Sequence, residues 1–191
     1  VTIWMDQLNG PYTLCDEFRR DVFAEIAEAK PDLVIMSNLL RNTIVDRETG
    51  ERIVLKTKAA EVWAQQYEAT IKRFTKQGIK VVVLRDTPQW GYEPADCLSV
   101  YDVSECKINR GAGLDDINRD AGIANRIDGA LGLDPLSLQC GPKTCYAVRD
   151  KMVMMRDNSH FTRTYSVALA PMWEQFFDEI LPRWDELQAS K

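Results

Sequence analysis

Lys80-Val81-Val82-Val83-Leu84 is an apolar run with one charged residue at its entrance, and Leu33-Val34-Ile35-Met36 is a second such run. A strand that is apolar at successive positions needs cover on both faces, as in a buried parallel sheet. The stretch between the two runs fits that reading. Lys58 to Lys76 carries Trp63, Tyr67, Ile71 and Phe74 at spacings of four, four and three, the stripe of an amphipathic helix, and Gly78 closes it. Parallel strands need a crossover of this kind.

The pattern continues in both directions. Upstream, Asp16 to Ala29 reads as a helix with Phe18, Val22, Ile26 and Ala29 on one face, stopped by Pro31. Residues 46 to 52 form a surface turn or hairpin. Downstream, residues 86 to 112 make a long loop rich in Pro, Gly, Asp and Cys, a length that is usually functional or cross-linked. Leu114 to Leu131 is expected to be a third helix with Ile117, Ala121, Ala124, Asp128 and Leu131 on one stripe, Asp128 interrupting it. A short strand is expected near Leu133 to Leu138, and a small hairpin from Tyr146 to Met155 around Asp150-Lys151. Thr162 to Leu181 reads as a last helix with Tyr165, Leu169, Trp173, Phe176 and Ile180 inward, bent or restarted at Pro171. Helix and strand alternate throughout. The expectation is one α/β domain over residues 1–191, a three-layer α/β/α sandwich with a parallel sheet.

The 191 residues are 45% hydrophobic and 28% charged, with a formal net charge of −5. That is a folded composition, and its sign opposes a nucleic-acid partner held by phosphate neutralisation. No apolar run approaches the roughly 20 residues that span a bilayer. The chain begins without methionine and shows no signal-peptide pattern, so it reads as an excised piece of something longer. Of five cysteines, Cys97 and Cys106 share a polar loop, and Cys140 and Cys145 bracket Gly141-Pro142-Lys143-Thr144. The two close pairs read as local disulfides, with free thiols as the alternative. Tetrahedral zinc is opposed by the absence of CxxC spacing and by a single histidine. Disulfides imply an oxidising, extracytoplasmic location, and they leave Cys15 over.

That one histidine ends the stretch Asp157-Asn158-Ser159-His160. An Asp three residues before a His in a tight turn sets its carboxylate against Nδ1–H. The contact fixes the tautomer and stabilises the imidazolium formed when the other nitrogen takes a proton. The plainer reading is a turn Asp beside a surface His. Thr162 is placed to cap the helix that follows. Trp90 and Tyr92 follow the second strand and are read either as faces that stack on a sugar or as side chains buried under the disulfide loop. Trp63 and Trp173 read as core. Arg85-Asp86, at the strand end, reads as an ion pair or turn contact, with a place facing the active site as its other reading.

Asp157-x-x-His160 followed by Phe161-Thr162 and a Tyr-bearing apolar helix resembles the terminal block of SGNH (GDSL-like) esterases and acyltransferases. The resemblance is closer still to the SGNH domain fused to membrane acyltransferases of the acyltransferase-3 type. Lys30 to Met36, Val81-Val82-Val83-Leu84-Arg85-Asp86-Thr87-Pro88 and the ordered cysteine pairs carry it, from about Asp16 to Trp173. It implies an SGNH-hydrolase-like (flavodoxin-like) fold and a Ser-His-Asp mechanism, with His160 as base then acid and Asp157 orienting it. It also implies a bacterial, extracytoplasmic O-acyltransferase tethered to the membrane. Its acyl donor would come from an upstream membrane acyltransferase domain, and its acceptor would be a cell-envelope glycan or glycolipid. No cofactor or metal is implied. An esterase with the same residues, or a glycan-binding domain without catalysis, are the alternatives.

One block departs from the family. None of the seven serines (37, 99, 104, 137, 159, 166, 190) follows Gly-Asp, and Ser159 occupies a spacer position within the Asp-x-x-His motif. The resemblance therefore places the nucleophile, the first strand or strands and the partner of Cys15 on an N-terminal segment upstream of residue 1. It also implies that a companion segment covers the sheet edge so exposed. For the oxyanion, Asn38 ranks above Asn42 because it stands at a predicted strand end; capping the next turn is its other reading.

Overall fold

The structure, a computed structural model, describes residues 2–38, 43–46, 48–53, 56–111 and 119–190. In chain order it opens with β1 (Trp4–Met5), β2 (Gly10–Pro11), α1 (Thr13–Ala29), β3 (Leu33–Ser37), α2 (Lys56–Thr75) and β4 (Lys80–Leu84). Next come α3 (Pro94–Val100), β5 (Lys107–Asn109), α4 (Arg119–Ala124), β6 (Ala130–Leu133) and α5 (Leu136–Gln139). The chain ends with β7 (Thr144–Tyr146), β8 (Val148–Arg149), β9 (Met152–Val153), α6 (Arg163–Ala168), α7 (Ala170–Ile180) and α8 (Trp184–Ala189). Two compact units result: Val1–Leu84 with Arg119–Leu133, and Arg85–Asn118 with Asp134–Lys191.

The first unit holds the parallel sheet, in the order β3-β4-β6, with Leu33 opposite Lys80 and Val81 opposite Ala130. Central β4 is buried on both faces, as its composition requires: Val81, Val82 and Val83 have no exposed surface. Val34 and Met36 of β3 join Val81 and Val83 in one core with Trp63, Tyr67, Ile71 and Phe74 of α2 and with Ile123 and Ala124 of α4. The Trp63 indole donates to buried Asp120 at 3.2 Å. Lys30, in the left-handed region at φ 46°, caps α1 ahead of Pro31. Helix α1 seats itself differently from its predicted stripe. Phe23 and Ile26 pack on the core, Phe23 edge-on to Phe74 at 5.4 Å, whereas Phe18 is 67% exposed and Ala29 is exposed too.

The predicted third helix is shorter than its stripe. Residues 114–118 lie outside the described residues, and α4 ends at Ala124 because the chain tightens into i,i+3 turns (Arg126 N to Ile123 O, Ile127 N to Ala124 O). Gly129, at φ +80°, then starts β6 three residues before the predicted strand. Asp128 is exposed and so interrupts no core face. Residues 136–139 are helix rather than strand, since the Asp134 carboxylate accepts from Leu136 N at 2.9 Å and starts α5.

In the second unit the long loop contains α3 and β5, and β5 pairs antiparallel with β7. Both local disulfides form, Cys97–Cys106 and Cys140–Cys145, each with sulfurs 2.04 Å apart. Hairpin β8–β9 turns on Asp150 and Lys151, both at positive φ (49° and 63°). The last helix breaks at Leu169 into α6 and α7, with Pro171 in the first turn of α7. Thr162 caps α6 by accepting from Tyr165 N at 3.1 Å. Tyr165 and Leu169 are buried with Trp90, Cys106, Leu136 and Met154.

Gly132 gives this fold a sharp test. A Cβ there would lie 2.0 Å from the Ala121 carbonyl oxygen of α4, whereas one on Gly122 would meet nothing within 4 Å. In denaturant melts, Gly132→Ala is expected to lose more than about 2 kcal/mol. Gly122→Ala, by contrast, should gain about 0.5–1 kcal/mol from reduced chain entropy. Equal stabilities would contradict the close helix–strand approach.

Candidate active site

The sharpest local structure of the second unit is the turn Arg156 to His160. Its neck is closed by an antiparallel bridge between Met155 and Phe161 and by Arg156 N donating to His160 O at 2.8 Å. Buried Met154 and Met155 hold the incoming side, and capped α6 holds the outgoing one. Inside the turn one carboxylate gathers the donors. Asp157 Oδ1 accepts the backbone N–H groups of Ser159 (3.0 Å) and His160 (2.8 Å), and it lies 2.9 Å from His160 Nδ1. Oδ2 lies 3.0 Å from the same ring nitrogen and also accepts from Arg156 Nη2 at 3.0 Å. With Nδ1 donating to the carboxylate, Nε2 carries the free lone pair. The imidazole is 64% exposed, and Nε2 has no partner among the described residues.

These contacts set the charge. The Ser159 N–H, then the His160 ring and N–H and the Arg156 guanidinium, hold the Asp157 carboxyl well below the ordinary carboxylate range against the opposing effect of desolvation. Ser159 Oγ lies 3.3 Å from Nδ1, the nitrogen already turned to Asp157, and so does not face the free Nε2.

The segment after β4 is tied to this turn. Thr87 Oγ1 donates to Ser159 O at 2.8 Å, and Trp90 N donates to Asn158 O at 2.8 Å. Next to Thr87, the half-buried Asp86 has its pKa raised by burial, partly offset by the Thr87 N–H and the charge of His160. Sequence reasoning noted the Asp-Thr-Pro block, but not that Thr87 braces the turn; a hydroxyl one residue before a proline carries no distinctive signal. Arg85 pairs with Asp134 at 2.8 Å. Trp90 is only 5% exposed, a core side chain of this unit, with the Tyr92 ring edge-on to it at 5.5 Å. Tyr92 reaches the surface, and its hydroxyl donates to Lys107 O at 3.0 Å. Asn38 belongs to the other unit, just past β3, where its Nδ2 donates to Tyr67 Oη at 2.5 Å.

The sequence matches the family described as the SGNH domain fused to AT3 domains over residues 3–175, and the chain belongs to that family. Among solved structures, the periplasmic domain of the lipopolysaccharide acetyltransferase of Salmonella ser. Paratyphi A is similar in fold, with a TM-score of 0.52 at 16% identity. The match covers 83% of this chain and 61% of that one, so the chain spans less than two thirds of its structural neighbour. No curated protein matches the sequence. Among the described residues no helix is long and apolar enough to cross a membrane.

The depressed Asp157 value has a definite sign. A carboxyl whose folded pKa lies below the unfolded value, about 3.9, contributes stability that is fully present above that value. The contribution is lost as pH falls through the folded value. In a carbon-13 titration of the native protein the Asp157 carboxyl is expected to remain ionised at about pH 3. Its midpoint should rise when Arg156→Ala and His160→Ala remove two of its donors. A native midpoint near 4 would rule out the hydrogen bonds drawn here.

Proposed function

We propose that this chain carries the His–Asp half of an extracytoplasmic serine acyltransferase, which passes a short acyl group to a hydroxyl of a cell-envelope glycan or glycolipid. The carrying observation is the Asp157–His160 pair, with Nδ1 fixed on a carboxylate kept ionised and Nε2 open. In the first half-reaction His160 Nε2 takes the serine proton as the serine oxygen attacks the acyl carbonyl, and it then gives that proton to the leaving group. In the second it takes the proton of the acceptor hydroxyl, which attacks the acyl-serine, and returns it to the freed serine. Asp157 stays ionised throughout and stabilises the imidazolium. Hydrolysis to water is a second reading, favoured by the solvent exposure of the imidazole.

The nucleophile of this reading is a serine outside the 191 residues, on a strand seated along the open edge of β3. Among the described residues that edge has no strand partner, and Ile35 is 49% exposed in the middle of it. Beside it runs a hollow of about 430 Å³ lined by Phe18, Val22, Ile35, Met36, Asn38 and Tyr67, of the kind an added apolar strand fills. In this reading Asn38 donates to the oxyanion, and free Cys15 of α1 pairs with a cysteine of the added segment. The two disulfides support the extracytoplasmic setting. An AT3 domain of the same polypeptide would tether the chain to the membrane and deliver the acyl donor.

A serine-directed fluorophosphonate, applied to the intact protein and read by mass, tests this. One adduct is expected, on a serine outside these 191 residues, with its rate reduced two to four orders of magnitude in His160→Ala and in Asp157→Asn. No adduct on folded wild-type protein, or one on Ser159, would overturn the reading.

A further inference from the structure

The second unit carries a hollow of about 570 Å³ on its outer surface, between α3, Tyr92 and the entry to β5. The Cys97–Cys106 bridge ties α3 to that entry, so the floor is cross-linked. On the apolar side, Tyr92, Val100 and Tyr101 are all exposed, Tyr101 at 59%. On the polar side, the hollow is lined by three acidic residues, Glu93, Asp96 and Glu105, and by one basic residue, Lys107. None of these four charged groups has a side-chain hydrogen bond or ion pair among the described residues. The volume falls within the range of small-ligand sites, and aromatic walls with a few convergent polar groups are their usual lining.

We propose that this hollow is a binding subsite for an uncharged saccharide chain. Carboxylates only accept hydrogen bonds, so they select a ligand rich in donors, and sugar hydroxyls supply them. The tyrosine rings offer flat, amphipathic faces to the C–H side of a sugar ring. Three carboxylates against one ammonium repel phosphate, uronate and anionic headgroups, and thereby exclude an anionic chain. The hollow is also joined to the Asp157–His160 turn. Tyr92 packs edge-on to Trp90, and the Trp90 backbone N–H is bonded to Asn158 O within the turn. The inference rests on the acyl-transfer reading in one respect, that the bound chain is the acceptor; binding itself does not depend on it.

The test is saturation-transfer NMR on the intact protein with neutral tetrasaccharides built from glucose, mannose, galactose and rhamnose, alongside tetragalacturonate and tetralysine. Binding of at least one neutral tetrasaccharide is expected, weakened at least tenfold in Tyr101→Ala, retained in Tyr101→Phe, and undiminished in His160→Ala. Failure of every neutral saccharide, preference for tetragalacturonate or tetralysine, or indifference to Tyr101→Ala would overturn the proposal. Saccharide binding without phosphonate labelling would sink the acyl-transfer reading alone. Labelling without saccharide binding would sink this one alone.

Discussion

One carboxylate organises the second unit. Asp157 Oδ1 closes the turn by accepting two successive backbone N–H groups, and it also faces the ring nitrogen of His160. Folding the turn and orienting the imidazole are therefore a single event, with no separate entropy to spend on the ring. Charge enters at the same point, because the donors that shape the turn are those that keep the carboxyl ionised. Around it the structure adds braces: Thr87 and Trp90 on carbonyls of the turn, and Thr162 capping the next helix.

Much of the architecture was legible in the sequence because it rests on local patterns. Val81 to Leu84 is apolar at every position and becomes the central strand. Trp63, Tyr67, Ile71 and Phe74 recur at helical spacing and form one buried stripe. Short cysteine separations announced their own bridges, and the spacing of Asp157 and His160 announced their contact. The failures have a shared origin. Ala121, Ala124 and Leu131 fit a helical period, yet Gly129 and the i,i+3 turns cut Leu131 off from the other two, and period alone does not weigh a glycine at positive φ. In α1 the stripe through Phe18 was a fair pattern, but what a stripe faces is decided by tertiary neighbours, here Phe74. Trp90 shows the converse, since an aromatic next to an expected site is equally suited to supporting it from below.

The units are held by different means. The sheet unit is a conventional hydrophobic core in which β4 is enclosed by β3, β6 and two helices. Among the described residues the unit bearing the turn has only two- and three-residue strands, and two disulfides brace its small core. Short strands with little to bury gain most from such cross-links.

The discontinuity of the sheet unit has a kinetic meaning. Leu33 faces Lys80, and Val81 faces Ala130, each across about fifty residues of chain. Such pairings must close long loops before any contact rewards them, and this places the sheet among slow-forming topologies. On a growing polypeptide β3 and β4 meet first. The edge of β4 destined for β6 then stays open while residues 85–118 are still being made. During synthesis that open edge is the segment most exposed to wrong partners, and the speed with which the following stretch arrives limits how long it stays so.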